Sequence, residues 1–297
     1  MKTTLDELQT FVSIVDSGSI TTAAEILEQT TSGVSRTLSR LEQKLGCTLL
    51  RRTTRRLDLT QEGEIFLKHA REILQSFDLA EESVQQKNIA PSGTLKVDSA
   101  SPFILHAITP FIKEFNDLYP GIHIELHSSE RIIDLLERRI DVAIRIGKLD
   151  DSTLHATSLG ESRLRIYASP EYLKEHGTPR SVEELAHHRL LGFTAPRELN
   201  IWPLKTVNSS SYTIKPHTSA SSGETILHLL REGVGIACLS DFMSKQDREE
   251  GRIVQILKAQ TADSRQEIHA VYYKNTQVSQ RMTLFVQFLK RKMKEIL

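Results

Sequence analysis

The sequence predicts an α/β fold class built in three parts: a small helical module ending in a β-hairpin, one long amphipathic helix, and a two-lobed domain in which strands alternate with helices. Three observations predict it. Apolar residues in the first sixty positions recur at three- and four-residue spacing between glycine stops. A regular seam then runs from Phe66 to Val84, and after Pro91-Ser92-Gly93 the pattern changes to short apolar strands separated by helical stretches. At 297 residues the chain exceeds what one compact core normally holds, which agrees with several modules.

Leu5, Leu8, Phe11, Val12 and Val15 form one stripe on a first helix that Gly18 ends. Ser19 is placed to cap a second short helix through Leu27, whose Ala23 and Ala24 are small enough to admit another helix at close range. Val34, Leu38, Leu41 and Leu45 lie on a third helix that opens near Thr30 to Ser32 and stops at Gly46. With that stripe turned inward, Thr31, Ser32, Ser35, Arg36 and Arg40 lie near its start or along its outer face. The segment from Leu49 to Thr60 reads as a wing: an apolar stretch, the basic tip Arg51-Arg52-Thr53-Thr54-Arg55-Arg56, and an alternating return. Between Thr31 and Thr60 seven cations face two carboxylates, a local charge of +5 in a chain whose formal net charge is zero. Such a helix fits the major groove with its N-terminal residues at base edges, and a wing-tip arginine suits the narrow minor groove of A·T-rich DNA. The competing reading is a solvated basic face that binds protein.

These residues also carry a resemblance. Ala23-Ala24, Leu27, Val34-Ser35-Arg36, Leu41-Glu42, Leu45-Gly46, Leu49-Leu50, Arg52-Thr53, Arg55 and Leu59-Thr60 with Gly63 resemble the N-terminal signature of the LysR-type transcriptional regulators. The candidate DNA-binding residues are Thr31, Ser32, Ser35, Arg36, Arg40, Arg52 and Arg55. Of these, the resemblance directs Thr31, Ser32 and Arg36 toward bases or adjoining phosphates and Arg55 toward the minor groove. The chain departs from the family where Gln-Pro-Ala most often opens the reading helix: it has Thr31-Ser32-Gly33, so the operator sequence does not carry over. Glycine is also a poorer helix former than alanine by about 1 kcal/mol.

Phe66, Ala70, Ile73, Phe77, Ala80 and Val84 repeat at 4, 3, 4, 3 and 4, an a/d seam flanked by charged and polar side chains. Such a helix calls for a partner, either its own module or a second copy. Self-pairing is the preferred expectation because two reading modules on one coiled coil match an operator with two half-sites. The resemblance points to the same pairing and to further assembly through the effector domains, a homodimer or homotetramer. The expected divisions are a winged helix-turn-helix over 1–60, a linker helix over 61–90 and a hinge at 91–93. Lobe I takes 94–163 and 268–297, and lobe II takes 164–267.

In the last module, Leu95 and Val97 mark a strand, Ile104 to Leu118 a helix stopped by Tyr119-Pro120-Gly121, and Ile122, Ile124 and Leu126 a second strand. Ile133, Leu136 and Ile140 read as a further helix before a buried strand from Val142 to Ile146. The series resumes with Leu164 to Ala168, Leu190 to Phe193, Tyr212 to Ile214, a helix from Glu224 to Arg231 and a strand from Ile236 to Leu239. Ile268 to Tyr273 and a final helix bearing Met282, Phe285, Val286 and Leu289 return to the first lobe. Parallel α/β sheets bind ligands beyond the carboxyl ends of their strands, where helix N-termini offer free N–H groups. Ser99 and Ser101, Ser128 and Ser129, and Ser221 and Ser222 stand at such ends and are candidate effector contacts, with Arg145 and Thr194 beside them. Plain N-capping is the competing role of each serine. The family resemblance, carried here by Tyr119-Pro120, Asp141-Val142-Ala143-Ile144 and Gly233-Val234-Gly235-Ile236-Ala237, implies a domain like the type 2 periplasmic binding proteins that holds a small molecule between lobes. An arginine and helix N-termini suit a carboxylate, so a small organic anion is the expected effector.

No run approaches a membrane span and the N-terminus lacks an apolar signal core, so no membrane partner is expected and the expected location is the cytoplasm. Cys47 and Cys238 stand far apart and outside metal or disulfide spacing, and read as small buried hydrophobes. Gly233-Val234-Gly235 runs from helix into strand, the wrong order for a dinucleotide loop, and reads as a tight turn. His123 and His127 on one strand would stand about 13 Å apart at 3.3 Å per residue, too far to share a metal. His187-His188 reads as a surface loop. No catalytic constellation, cofactor or metal site is expected. The function expected is a LysR-type DNA-binding regulator modulated by a small molecule, with RNA polymerase a further candidate partner. The alternatives are a ligand-independent regulator whose α/β module is an oligomerisation scaffold, and a metabolite-binding protein or enzyme with an accessory basic domain.

Overall fold

The computed structural model describes residues 2–52, 57–85, 91–130, 135, 138–149, 154–207, 209–273 and 279–296. The chain divides into two compact units, one chiefly Met1–Ile89 and the other Ala90–Leu135, Ile140–Lys274 and Gln280–Leu297.

The first unit opens with α1 (Leu5–Ser17), α2 (Ile20–Ile26) and α3 (Thr31–Leu45). Local chemistry sets each boundary. Thr4 and Glu7 form a reciprocal capping box at the start of α1, Ser19 caps α2, and Thr30 caps α3. Gly18 and Gly46 close α1 and α3 in the left-handed conformation at φ 65° and 69°, where a side chain would be strained. Phe11, Val12, Ile14, Ala23, Ala24, Val34, Leu38 and Leu41 form the core between the helices, with both alanines buried where α2 approaches. Strands β1 (Leu50–Arg52) and β2 (Leu57–Leu59) pair antiparallel as the wing stem. Thr60 then bonds the Gly63 amide at 2.9 Å and opens α4 (Gln61–Gln85). The first turns of α4 do not wait for a second copy: Phe66, Leu67, Ala70 and Leu74 pack into the core of their own module. Ile65, Ile73 and Phe77 stay exposed on the same helix.

The second unit is built on a seven-stranded mixed sheet. Its first strands are β3 (Gly93–Ser99), β4 (Ile122–Ser128) and β5 (Val142–Ile146), which run parallel with β3 in the middle. Between β3 and β4 the chain forms one helical stretch: α5 (Ser101–Phe103), a π turn over Ile104–Ile108, and α6 (Thr109–Leu118). The helix expected across Ile133 and Leu136 falls largely outside the described residues, and Ile140 is not helical but leads into β5. Two long strands, β6 (Leu154–Ala168) and β13 (Arg265–Tyr273), pair antiparallel and extend the sheet past β5, so the sheet is only partly parallel.

Between β6 and β13 lie α7 (Pro170–His176), β7 (Leu191–Phe193), β8 (Ile201–Trp202), β9 (Tyr212–Thr213), β10 (Thr218–Ala220), α8 (Gly223–Arg231), β11 (Ala237–Ser240), α9 (Asp241–Glu249) and β12 (Val254–Ile256). β11 and β12 add to β6, β7 pairs parallel with β10, and α10 (Gln280–Ile296) closes the chain. One core joins Val97, Phe103, Phe115 and Phe285 to Ile226, Leu227, Phe242 and Met243 from the segment between the long strands. A separate core gathers Ile166, Tyr172, Leu185, Trp202 and Ile236. His188 belongs with it rather than to a surface loop: it is 7% exposed, and the Tyr172 hydroxyl lies 3.2 Å from its Nδ1. Gly233 takes φ 68°, as the tight-turn reading requires. No helix among the described residues is long and apolar enough to cross a membrane.

Candidate functional site

At the start of α3, Val34, Leu38 and Leu41 are fully buried, and this fixes which residues face out. Thr31, Ser32 and Arg36 are exposed and Ser35 is half-buried. Thr30 Oγ1 accepts the Gly33 amide at 3.1 Å and lies 3.3 Å from Ser32 Oγ, while Arg36 Nε donates to the Ser32 carbonyl at 3.2 Å. The turn thus presents hydroxyls and one guanidinium together, the donor and acceptor set that base edges and phosphates accept. Arg40 is exposed as well, but it is paired: its Nε donates to Glu7 Oε1 at 2.7 Å. Arg52 lies in β1, paired with Leu57, whereas Arg55 and the rest of the wing tip lie outside the described residues. Sequence reading missed Glu42, whose Oε1 accepts the amides of Leu49 and Leu50 at 2.8 and 3.2 Å and so anchors the wing to α3.

The strand-end residues of the second unit form two groups. Ser99, Ser101, Ser128 and Ser129 stand at the ends of β3 and β4, where the Ser129 amide donates to the Ser99 carbonyl at 2.9 Å. Thr194 donates its amide to Ala220 at 3.0 Å, which sets it beside Ser221 and Ser222 at the ends of β7 and β10. The groups meet where the α5 and α8 starts touch, since a Cβ on Gly223 would lie 3.1 Å from Pro102 Cγ.

Several of these side chains already have partners. Ser99 is fully buried and donates to the Ile144 carbonyl at 3.1 Å, tying β3 to β5. Ser101 donates from its amide and hydroxyl to Glu130 Oε1 at 3.3 and 2.6 Å. Ser222 caps α8 through the Glu224 amide at 3.2 Å. Arg145 donates to Asp98 at 2.8 Å, and Asp98 is fully buried with its second oxygen unpartnered. Ser128, Thr194 and Ser221 are exposed. Asp98, Glu130 and Glu224 were not foreseen, because each meets a partner far away in sequence; Glu224 lies 2.7 Å from His106 Nε2 and 3.3 Å from His228 Nε2. Burial pushes the Cys238 thiol up, the setting of an inert core cysteine. Among the described residues no group of three or more His, Cys, Asp or Glu side chains is placed to hold a metal ion.

The model of the bacterial regulatory helix-turn-helix protein, lysR family, matches residues 5–64, and that of the LysR substrate binding domain matches residues 89–294. The chain is 48% identical over 289 residues, 97% of each protein, to the HTH-type transcriptional regulator CrgA of Neisseria meningitidis. The solved structure of that LysR-type regulator shares 47% identity and a TM-score of 0.67, covering 98% of this chain and 99% of the other. The full-length structure of AphB, a Vibrio cholerae virulence activator, is 29% identical with a TM-score of 0.61 over 97% and 98% of the two chains. These are regulators rather than enzymes, and both halves of the architecture match along their length. The chain belongs to the LysR-type transcriptional regulators, a DNA-binding protein whose second unit is the family's substrate-binding domain.

Proposed function

We propose that this regulator reads its operator through the exposed first turn of α3, with Thr31, Ser32, Ser35 and Arg36 at the bases and adjoining phosphates and the wing carrying Arg52 and Arg55 to the flanking groove. The observation that supports the reading best is the burial of Val34, Leu38 and Leu41 on one side of α3 with Thr31, Ser32 and Arg36 outward on the other. Two copies pair through the exposed Ile65, Ile73 and Phe77 of α4, which presents two reading helices to two half-sites. Titration of operator DNA over a range of salt tests the surface: Arg36→Ala lowers affinity and reduces the log–log salt slope by about one. An unchanged slope and affinity would remove Arg36 from the interface.

A small molecule held at the strand-end loops shifts this binding by favouring one arrangement of the domain over another. A small organic anion is the first class to test. It must displace Glu130 from Ser101 and approach an Arg145 already neutralised by Asp98, so a neutral ligand is the second reading, favoured by those two contacts. Calorimetry with carboxylates and with their uncharged amides separates the two.

A further inference from the structure

Arg36, Arg40 and Lys44 recur every fourth residue along α3, a row of cations that a phosphate backbone would ordinarily take up. Helix α1 answers two of the three. Glu7, fully buried, accepts from Arg40 Nε at 2.7 Å, from Lys44 Nζ at 2.8 and 2.9 Å on its two oxygens, and from the Thr4 amide at 3.0 Å. Asp6 adds a carboxylate 3.9 Å from Arg40, and Lys44 also donates to the Lys2 carbonyl at 3.1 Å. Burial by itself would raise the Glu7 carboxyl, but the bonds from Lys44, the Thr4 amide and Arg40 outweigh it and bring the group down to about 2, so it stays charged beside its two cations. Arg36 has no carboxylate partner among the described residues.

We propose that Glu7 is a positioning residue for DNA reading, locking α3 onto α1 and withholding the charges of Arg40 and Lys44 from the DNA. Contacts then come from the first turn of α3 and the wing, and non-specific affinity is held down. The inference rests on α3 being the reading helix, and loss of all DNA binding by the wild-type chain would sink that reading separately.

The test measures binding of the full chain to a random-sequence duplex by fluorescence anisotropy at several salt concentrations. Each phosphate contact contributes about 0.9 to the log–log slope. Arg36→Ala flattens the slope by about one, Arg40→Ala leaves it at the wild-type value, and Glu7→Gln steepens it by about one to two while tightening binding to random DNA severalfold. A slope that falls in Arg40→Ala as it does in Arg36→Ala overturns the proposal. So does a folded Glu7→Gln protein, checked by circular dichroism, with an unchanged slope. If Glu7→Gln does not fold, the Arg40→Ala slope decides alone.

Discussion

At Asp141, burial and hydrogen bonding pull in opposite directions. Its carboxylate accepts the Lys96 amide at 2.7 Å, but burial outweighs that bond and raises the carboxyl to about 6. A folded-state value above the unfolded one means that stability is fully present below the unfolded value, near 4, and is lost as pH rises through about 6. Asparagine keeps the acceptor and cannot ionise. The melting temperature of Asp141→Asn, taken relative to wild type, is therefore expected to rise between pH 5 and pH 7, and a flat difference would show that Asp141 carries no charge penalty. Gly63 offers a second case. A Cβ there would stand 2.1 Å from the Leu49 carbonyl, so backbone must move, and Gly63→Ala is expected to destabilise the first unit by about 1–3 kcal/mol in a denaturant melt. Single residues were legible where their partners are local: Ser19 announces a cap because the amide it serves lies three residues on. Glu7 was not legible, since Arg40 and Lys44 stand 33 and 37 positions away and only the folded helix pair brings them together.

Elements show the same division between local and distant causes. The replacement of the usual Gln-Pro-Ala by Thr31-Ser32-Gly33 has a structural counterpart: a Cβ on Gly33 would lie 3.0 Å from Thr30 Oγ1, the capping oxygen. Alanine should gain about 1 kcal/mol of helix propensity but crowds a cap worth about as much. Gly33→Ala alone is thus expected to be near neutral, whereas in a Thr30→Ala background it is expected to stabilise by about 1 kcal/mol. Equal effects in the two backgrounds would sink this coupling in the double-mutant cycle. The α4 seam shows what periodicity leaves open. The 4-3 repeat locates a continuous apolar stripe but not its partner, and the stripe divides between Phe66 and Ala70, packed at home, and Ile73 and Phe77, exposed by 49% and 38%. Sedimentation of Ile73→Asp/Phe77→Asp is expected to show a shift toward monomer, and an unchanged oligomer would place the interface elsewhere.

On the scale of the whole substrate-binding domain, the sequence showed that the chain leaves the first set of strands and later returns, but not how the parts are packed. Strand direction was the main loss: β13 comes back antiparallel between β5 and β6, and nothing in a run such as Ile268 to Tyr273 encodes that direction. The long strands carry a bulge where Ile268 and His269 face Gly160 and Ser158, leaving Leu159 unmatched. Behind the strand-end loops the parts are joined by packing, with Phe103 against Phe242 at 5.3 Å and the His106–Glu224 pair at 2.7 Å. Gly223 packs closely between Pro102 and Met243: a notional Cβ would lie 3.1 Å from Pro102 Cγ, a tight contact, and 3.6 Å from Met243 Cε, an ordinary one. Valine there acts as a wedge between the starts of α5 and α8. Gly223→Val is expected to cost about 1–3 kcal/mol by overpacking, a melting temperature lower by several degrees at about 2–4 °C per kcal/mol. X-ray scattering from the full chain should report a larger radius of gyration if the wedge spreads the strand-end groups apart. A lower melting point with an unchanged scattering curve would mean that the helices absorb the methyl groups locally.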